Sequence, residues 1–156
     1  MKRHESITPL SRDHHAGLLC CWKIRQGIRK NIVPSRVLTY IQYFWHHHLE
    51  GHFKEEETLL FVLAQNEWIE QAVREHRELR ERIGSLEKDA SPEKLLQFAK
   101  QLDDHIRFEE RILFPYLEET LSAEQLDNIG RQLQELHAKV KEDDYEDEFW
   151  ATAKNR

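Results

Sequence analysis

His52 and Glu56 stand four residues apart, and so do His105 and Glu109. On a helix that step places two side chains one above the other on the same face. In both cases the face is otherwise apolar. Trp45, Leu59, Leu60 and Leu63 extend the line through His52 and Glu56, and Leu102, Ile112, Leu113 and Tyr116 extend the line through His105 and Glu109. His14 falls between Leu10 and Leu18, and His76 between Val73 and Leu79. Groups that bind protons or metals therefore interrupt stripes that should face a core. An ionised carboxylate buried without a partner is costly, so something must offset it. A hydrogen-bonded network is one answer, and cations are the other.

Imidazole and carboxylate together suit iron, zinc or manganese, and without thiolate ligands a structural zinc knuckle is disfavoured. Four histidines and two glutamates exceed the usual set for one ion. Two carboxylates from different helices can bridge a pair of ions, so a two-iron centre accounts for the set and leaves positions open for a small ligand. His48, one turn before His52, is the candidate for a seventh ligand; its other reading is an imidazole packed beside the centre. Leu10 and Leu18 turn His14 inward and leave His15 about 100° away. His4, His46, His47 and His137 read as solvated or partly exposed, and of Glu55, Glu56 and Glu57 only Glu56 faces inward.

These residues need helices to carry them and links that bring them level. Thr8-Pro9, Asn66 and Ser91-Pro92 read as helix starts, Ser35 as a cap after the break at 31–34, and Ser122 to Gln125 as a capping box. The helices then run over about 9–30, 36–64, 67–87 and 93–121, with Pro115 a kink near the end of the last. A C-terminal helix follows at about 123–141, then an acidic tail over 142–156 that either hangs loose or docks through Phe149 and Trp150. No stretch alternates with period two, so no strand is expected. The expected fold is a single all-α domain over 1–156, an antiparallel up-down-up-down four-helix bundle with an additional C-terminal helix. HFKEEETLLF (52–61) returns weakly as HIRFEERILF (105–114), which suggests a duplicated half-bundle. At ~1.5 Å per residue, His14 and His52 each lie roughly 24–26 Å from the turn between their helices. Similar counts relate His52, His76 and His105, so four helices deliver a histidine to nearly one layer.

A net charge of -6 argues against nucleic acid or anionic lipid as a partner. No apolar run is long enough to span a bilayer, and MKRHESITPL lacks the apolar stretch of a signal peptide, so a cytoplasmic protein is expected. Cys20 and Cys21 are neighbours, a poor pair for a disulfide, and read as small apolar residues on a helix.

At these residues the sequence resembles the hemerythrin family, also called the HHE cation-binding domain. The family pattern is an acidic residue and His in the first helix, H-x-x-x-E in the second, E-H in the third and H-x-x-x-[E/D] in the fourth. Here these are Asp13-His14, His52 to Glu56, Glu75-His76 and His105 to Glu109, and EERILFP (109–115) continues the match, over roughly 8–120 in all. The resemblance implies a non-haem di-iron centre bridged by the two carboxylates and an oxo or hydroxo group, with zinc or manganese as substitutes. It implies O2 or another diatomic or peroxide ligand. Oxygen carriers of the family have a second histidine one turn earlier in the third helix, where this chain has Ala72, and end on an aspartate five residues after its histidine, where this chain has Glu109 after four. Both departures resemble the broader bacterial branch, whose members sense, store or deliver iron, respond to oxygen, or help repair iron–sulfur clusters. A binding or sensing protein is expected ahead of an enzyme. The alternative is a ferroxidase or peroxide-reducing di-iron enzyme, although such bundles use E-x-x-H and more carboxylates than histidines. A third reading is an interaction module with a structural metal and a protein partner.

Overall fold

Asn66, Ser91 and Ser122 each turn a side-chain oxygen onto the backbone N–H three residues ahead, and each opens a helix. Gln125 completes the capping box of Ser122. Thr8 and Ser35 behave otherwise. Thr8 lies inside its helix, with a 3-10 turn at Glu5–Ile7 in front of it and its hydroxyl donating to the His4 carbonyl at 3.2 Å. Ser35 follows Pro34, whose fixed φ opens that helix itself.

The computed structural model describes residues 2–139 and 142–151. Among them every regular element is helical and no strand occurs. The helices are α1 (Thr8–Arg29), α2 (34–63), α3 (Glu67–Lys88), α4 (92–120) and α5 (Ala123–Leu136). α5 ends at Leu136; the final turn expected at 140–141 and the tail end at 152–156 lie outside the described residues.

α2 and α4 are not wound uniformly. Trp45–Leu49, Glu56–Leu60 and Glu109–Leu113 form π turns, in which the N–H groups of Glu50, Phe61 and Phe114 donate five residues back to the carbonyls of Trp45, Glu56 and Glu109. Each wide turn shifts the phase of the residues after it. Leu63 and Ile112, expected on the inner stripes, are 37% and 41% exposed. Leu59 and Tyr116 are only half-buried. Leu60, Phe61, Leu113, Phe114 and Leu117 fill the core instead. The break expected at Pro115 falls just before it, in the same wide turn.

The buried apolar residues form two clusters. One gathers Cys20, Cys21, Leu49, Leu79 and Leu102 with the aromatics Tyr40, Phe44 and Phe98. The other gathers Leu10, Leu60, Ala72, Leu113 and Leu117 with Leu126, Ile129 and Leu133 of α5. Each of α1 to α4 passes from one cluster to the other, and between them runs a layer that is not apolar. Residues 142–151 return over α1 and α2. Phe149 is fully buried against Gly27, where a Cβ would come within 2.7 and 2.8 Å of its ring. Asp143 accepts from Lys23 and Tyr40, Asp147 accepts from Arg36, and Lys30 donates to the Trp150 carbonyl. The described part of the tail, 142–151, docks, and Phe149 and Trp150 are the residues that seat it.

Candidate metal centre

The layer between the two clusters consists of His14 from α1, His52 and Glu56 from α2, His76 from α3, and His105 and Glu109 from α4, each 3% exposed or less. A Leu-sized side chain buried at any of these places would contribute about 1.5–3 kcal/mol, which the polar residues forgo. Their ligand atoms fall into two groups, His14, His52, Glu56 and Glu109, and Glu56, His76, His105 and Glu109. Within each group the atoms lie within 4.8 Å of one another, and both glutamates belong to both groups. Glu56 and Glu109 are each the first residue of a π turn, so the local unwinding of α2 and α4 coincides with the carboxylates.

All four histidines present Nε2 to the centre. His14 Nε2 is 2.8 Å from Glu109 Oε1 and 3.3 Å from Glu56 Oε2. His52 Nε2 is 3.0 Å from Glu56 Oε2, and His105 Nε2 is 3.1 Å from Glu109 Oε2. His76 Nε2 is 3.1 Å from Glu56 Oε1 and 3.2 Å from Glu109 Oε2. Yet Nε2 of His14, His52 and His105, both oxygens of Glu56 and Oε1 of Glu109 form no hydrogen bond among the described residues. At such separations the failure is one of direction: the atoms aim at common points between the residues, not at one another. A pair of cations fits that donor set, with nitrogens on two sides and shared carboxylates between.

The far side of every ring is held. The Nδ1–H of His14 donates to Glu110 Oε2 at 2.6 Å, of His52 to Asp13 Oδ2 at 3.0 Å, of His76 to Glu57 Oε2 at 2.6 Å and of His105 to Glu75 Oε1 at 2.7 Å. An ionised carboxylate only accepts, so the proton sits on Nδ1 and the Nε2 lone pair is left for an ion. The pattern has a two-fold character. Asp13 and Glu75 precede one histidine and support another, while Glu57 and Glu110 follow the central glutamates and support the histidine of a third helix. Glu57, expected on a solvated face, therefore has a positioning role, and Glu110 was missed altogether. The EE doublet in both copies of the internal repeat was the signal available.

The profile of the Hemerythrin HHE cation binding domain matches residues 6–117. This chain belongs to that family. No curated protein and no solved structure matches the chain. The whole of the polar layer falls inside the hemerythrin match, and α5 and the docked tail lie beyond it.

Electrostatics in the hemerythrin layer follow from burial and proximity. Burial alone opposes a charged imidazole, but the Glu109, Glu110 and Glu56 carboxylates outweigh it and raise His14 well above the ordinary 6.5. His76 is raised likewise by Glu109, Glu56 and Glu57, and His105 by Glu109 and Glu75. At His52 burial is overcome by Glu56 and Asp13, and the pKa is brought up to about 9. Burial and Glu109 push Glu56 upward, yet His52 and His14 hold it at about 2. Glu109 is kept well below the usual range against burial, chiefly by His105, His14 and His76. Protons and cations thus compete for the same Nε2 atoms.

His48 joins neither group. It lies in the π turn Trp45–Leu49, which alters the four-residue step toward His52, and its ring stacks on Phe44 with centroids 4.7 Å apart. His15 is exposed while His14 is buried. His137 is partly exposed but engaged, with Nε2 2.7 Å from Glu55 Oε1.

Proposed function

We propose that this hemerythrin HHE domain holds two iron ions in the layer between α1 and α4 and binds or senses O2 or a related small molecule, or handles iron. The observation that carries the reading is the convergence of four Nε2 atoms on two shared carboxylates, with only the His76 Nε2 to Glu109 Oε2 contact forming a hydrogen bond among them. His14 and His52 would serve one ion, His76 and His105 the other, and Glu56 and Glu109 both. Iron supplies redox change and open coordination positions for a diatomic or peroxide ligand. The chain's own part is to fix the imidazoles and exclude water. Asp13, Glu57, Glu75 and Glu110 hold the Nδ1 protons. Phe53 stacks on His76 at 3.9 Å and Phe114 on His14 at 5.1 Å, which walls the layer with apolar rings.

The same proposal reads residues 1–156 as one domain with α1 to α4 antiparallel, up-down-up-down. The short links between successive helices and the common depth of their histidines support it. No helix among the described residues is long and apolar enough to cross a membrane. Cys20 and Cys21 are free and buried, which suits the reducing cytoplasm.

Anaerobic loading with Fe(II), followed by metal analysis, tests the reading. Two irons per chain and a charge-transfer band on admission of air are expected. Fewer than one ion per loaded chain would sink it. Sustained turnover of Fe(II) or peroxide would favour the enzyme instead.

A further inference from the structure

Asp13, Glu55 and His137 bring a third set of ligand atoms together, again within 4.8 Å of one another, and all three residues are half-buried. His137 Nε2 lies 2.7 Å from Glu55 Oε1 and 3.9 Å from Asp13 Oδ2. The donor types are those of the buried layer, here one imidazole and two carboxylates instead of two of each. His137 caps α5 and so stands outside the segment matched by the family, while Asp13 and Glu55 lie inside it.

Its surroundings give the set a purpose. The three residues line a cavity of about 160 Å³ that reaches inward to His52 and outward to exposed His47 and Gly51. At ~30 Å³ per water, that volume takes an ion with a few of its waters. Asp13 belongs to both places: Oδ2 faces His137 and also accepts the Nδ1–H of His52 at 3.0 Å. The buried layer itself is sealed, with every residue 3% exposed or less, so an ion must reach it through a wall. Arg12 and Lys139 share the cavity and offset the two carboxylates, so an ion is held there loosely enough to move on.

We propose that Asp13, Glu55 and His137 form a divalent-cation site, open to water, from which the buried centre is loaded. It takes a first-row ion such as Fe(II), which exchanges part of its water shell for the imidazole and the carboxylates and passes inward along the Asp13–His52 contact. No bond of the protein forms or breaks in this transfer. The proposal rests on the buried layer being a metal centre.

Titration of the full chain with Co(II), by calorimetry and metal analysis, tests it with Glu55→Gln and His137→Ala. Asp13 is left intact because it also supports His52. The wild type is expected to take two ions tightly and a third weakly, and each variant to lose the third and keep the two. Anaerobic Fe(II) uptake should then be several-fold slower in both variants, with the same final iron content. A wild type that binds two ions and never a third overturns this site while leaving the centre standing. A wild type that binds no ion tightly overturns the centre instead, and any weak ion then lost in Glu55→Gln would still mark this site. Unchanged uptake rates in both variants overturn the loading role.

Discussion

Replacing Glu75 with leucine tests how far the outer carboxylates govern the centre. Glu75 Oε1 accepts the Nδ1–H of His105 at 2.7 Å, and Gln71 steadies the carboxylate by donating to Oε2 at 2.9 Å. A charge-assisted bond of this kind contributes about 1.5–3 kcal/mol. In Glu75→Leu the His105 ring is free to turn, and Nε2 is no longer the nitrogen fixed toward the centre. At about 1.4 kcal/mol per factor of ten, affinity for an ion on the His76 and His105 side should fall about 10–100-fold. Glu75→Gln keeps an acceptor oxygen and should lose less. Competition with a chromophoric chelator for Zn(II) or Co(II) gives the affinities, and circular dichroism confirms that the helices persist. A folded Glu75→Leu that binds as tightly as the wild type would refute the idea that Nδ1 contacts position the ligands.

Three further outcomes are expected. His52→Ala and His105→Ala should each lose bound iron on metal analysis, whereas His137→Ala should keep the buried pair; equal iron in all three would count against the assignment. In metal-free protein His52 is raised from 6.5 to about 9, so its contribution to stability is complete below pH 6.5 and disappears as the pH rises through 9. Glu56, lowered from 4.5 to about 2, contributes above pH 4.5 and stops contributing as the pH falls through 2. Denaturation midpoints should therefore be highest between these limits and decline toward pH 9, while metal affinity rises over that range because a proton must leave His52 Nε2; a flat profile would contradict both. Gly27→Ala places a methyl 2.7 and 2.8 Å from ring carbons of Phe149, a clash of about 1–3 kcal/mol, and should loosen the tail, seen as a lower melting temperature and a shift in Trp150 fluorescence.

The inward positions were legible in the sequence because a charged or imidazole group on an apolar stripe is conspicuous. His14, His52, Glu56, His76, His105 and Glu109 all proved buried and adjacent. The phase of the helices beyond Glu56 and Glu109 was not legible. Regular 3.6-residue winding points Leu63 and Ile112 inward; the π turns, with a 3-10 turn over Phe61–Leu63, reverse this. The same irregularity separates His48 from His52. Glu57 and Glu110 were obscured for another reason. Each has an exposed edge, so composition files them with solvated residues, and only their partners on other helices reveal the role. Phe149 and Trp150 were visible as apolar residues in an acidic tail, but the groove beside Gly27 that receives the Phe149 ring exists only in three dimensions.

The wide turns after Glu56 and Glu109 bear on how long this chain needs to be. A turn closed over five residues carries one residue beyond what an ordinary helix uses for the same arc. Deleting exposed Thr58 from one, or exposed Arg111 from the other, lets the backbone close as a regular α turn. Leu60 and Phe61 then follow Glu56 by three and four positions, as Leu113 and Phe114 follow Glu109, which keeps each set on one face. A deletion in a regular stretch would instead swing everything downstream by about 100°. α2 and α4 can each be shortened by a residue beside the centre itself, with the apolar end of the bundle left in register.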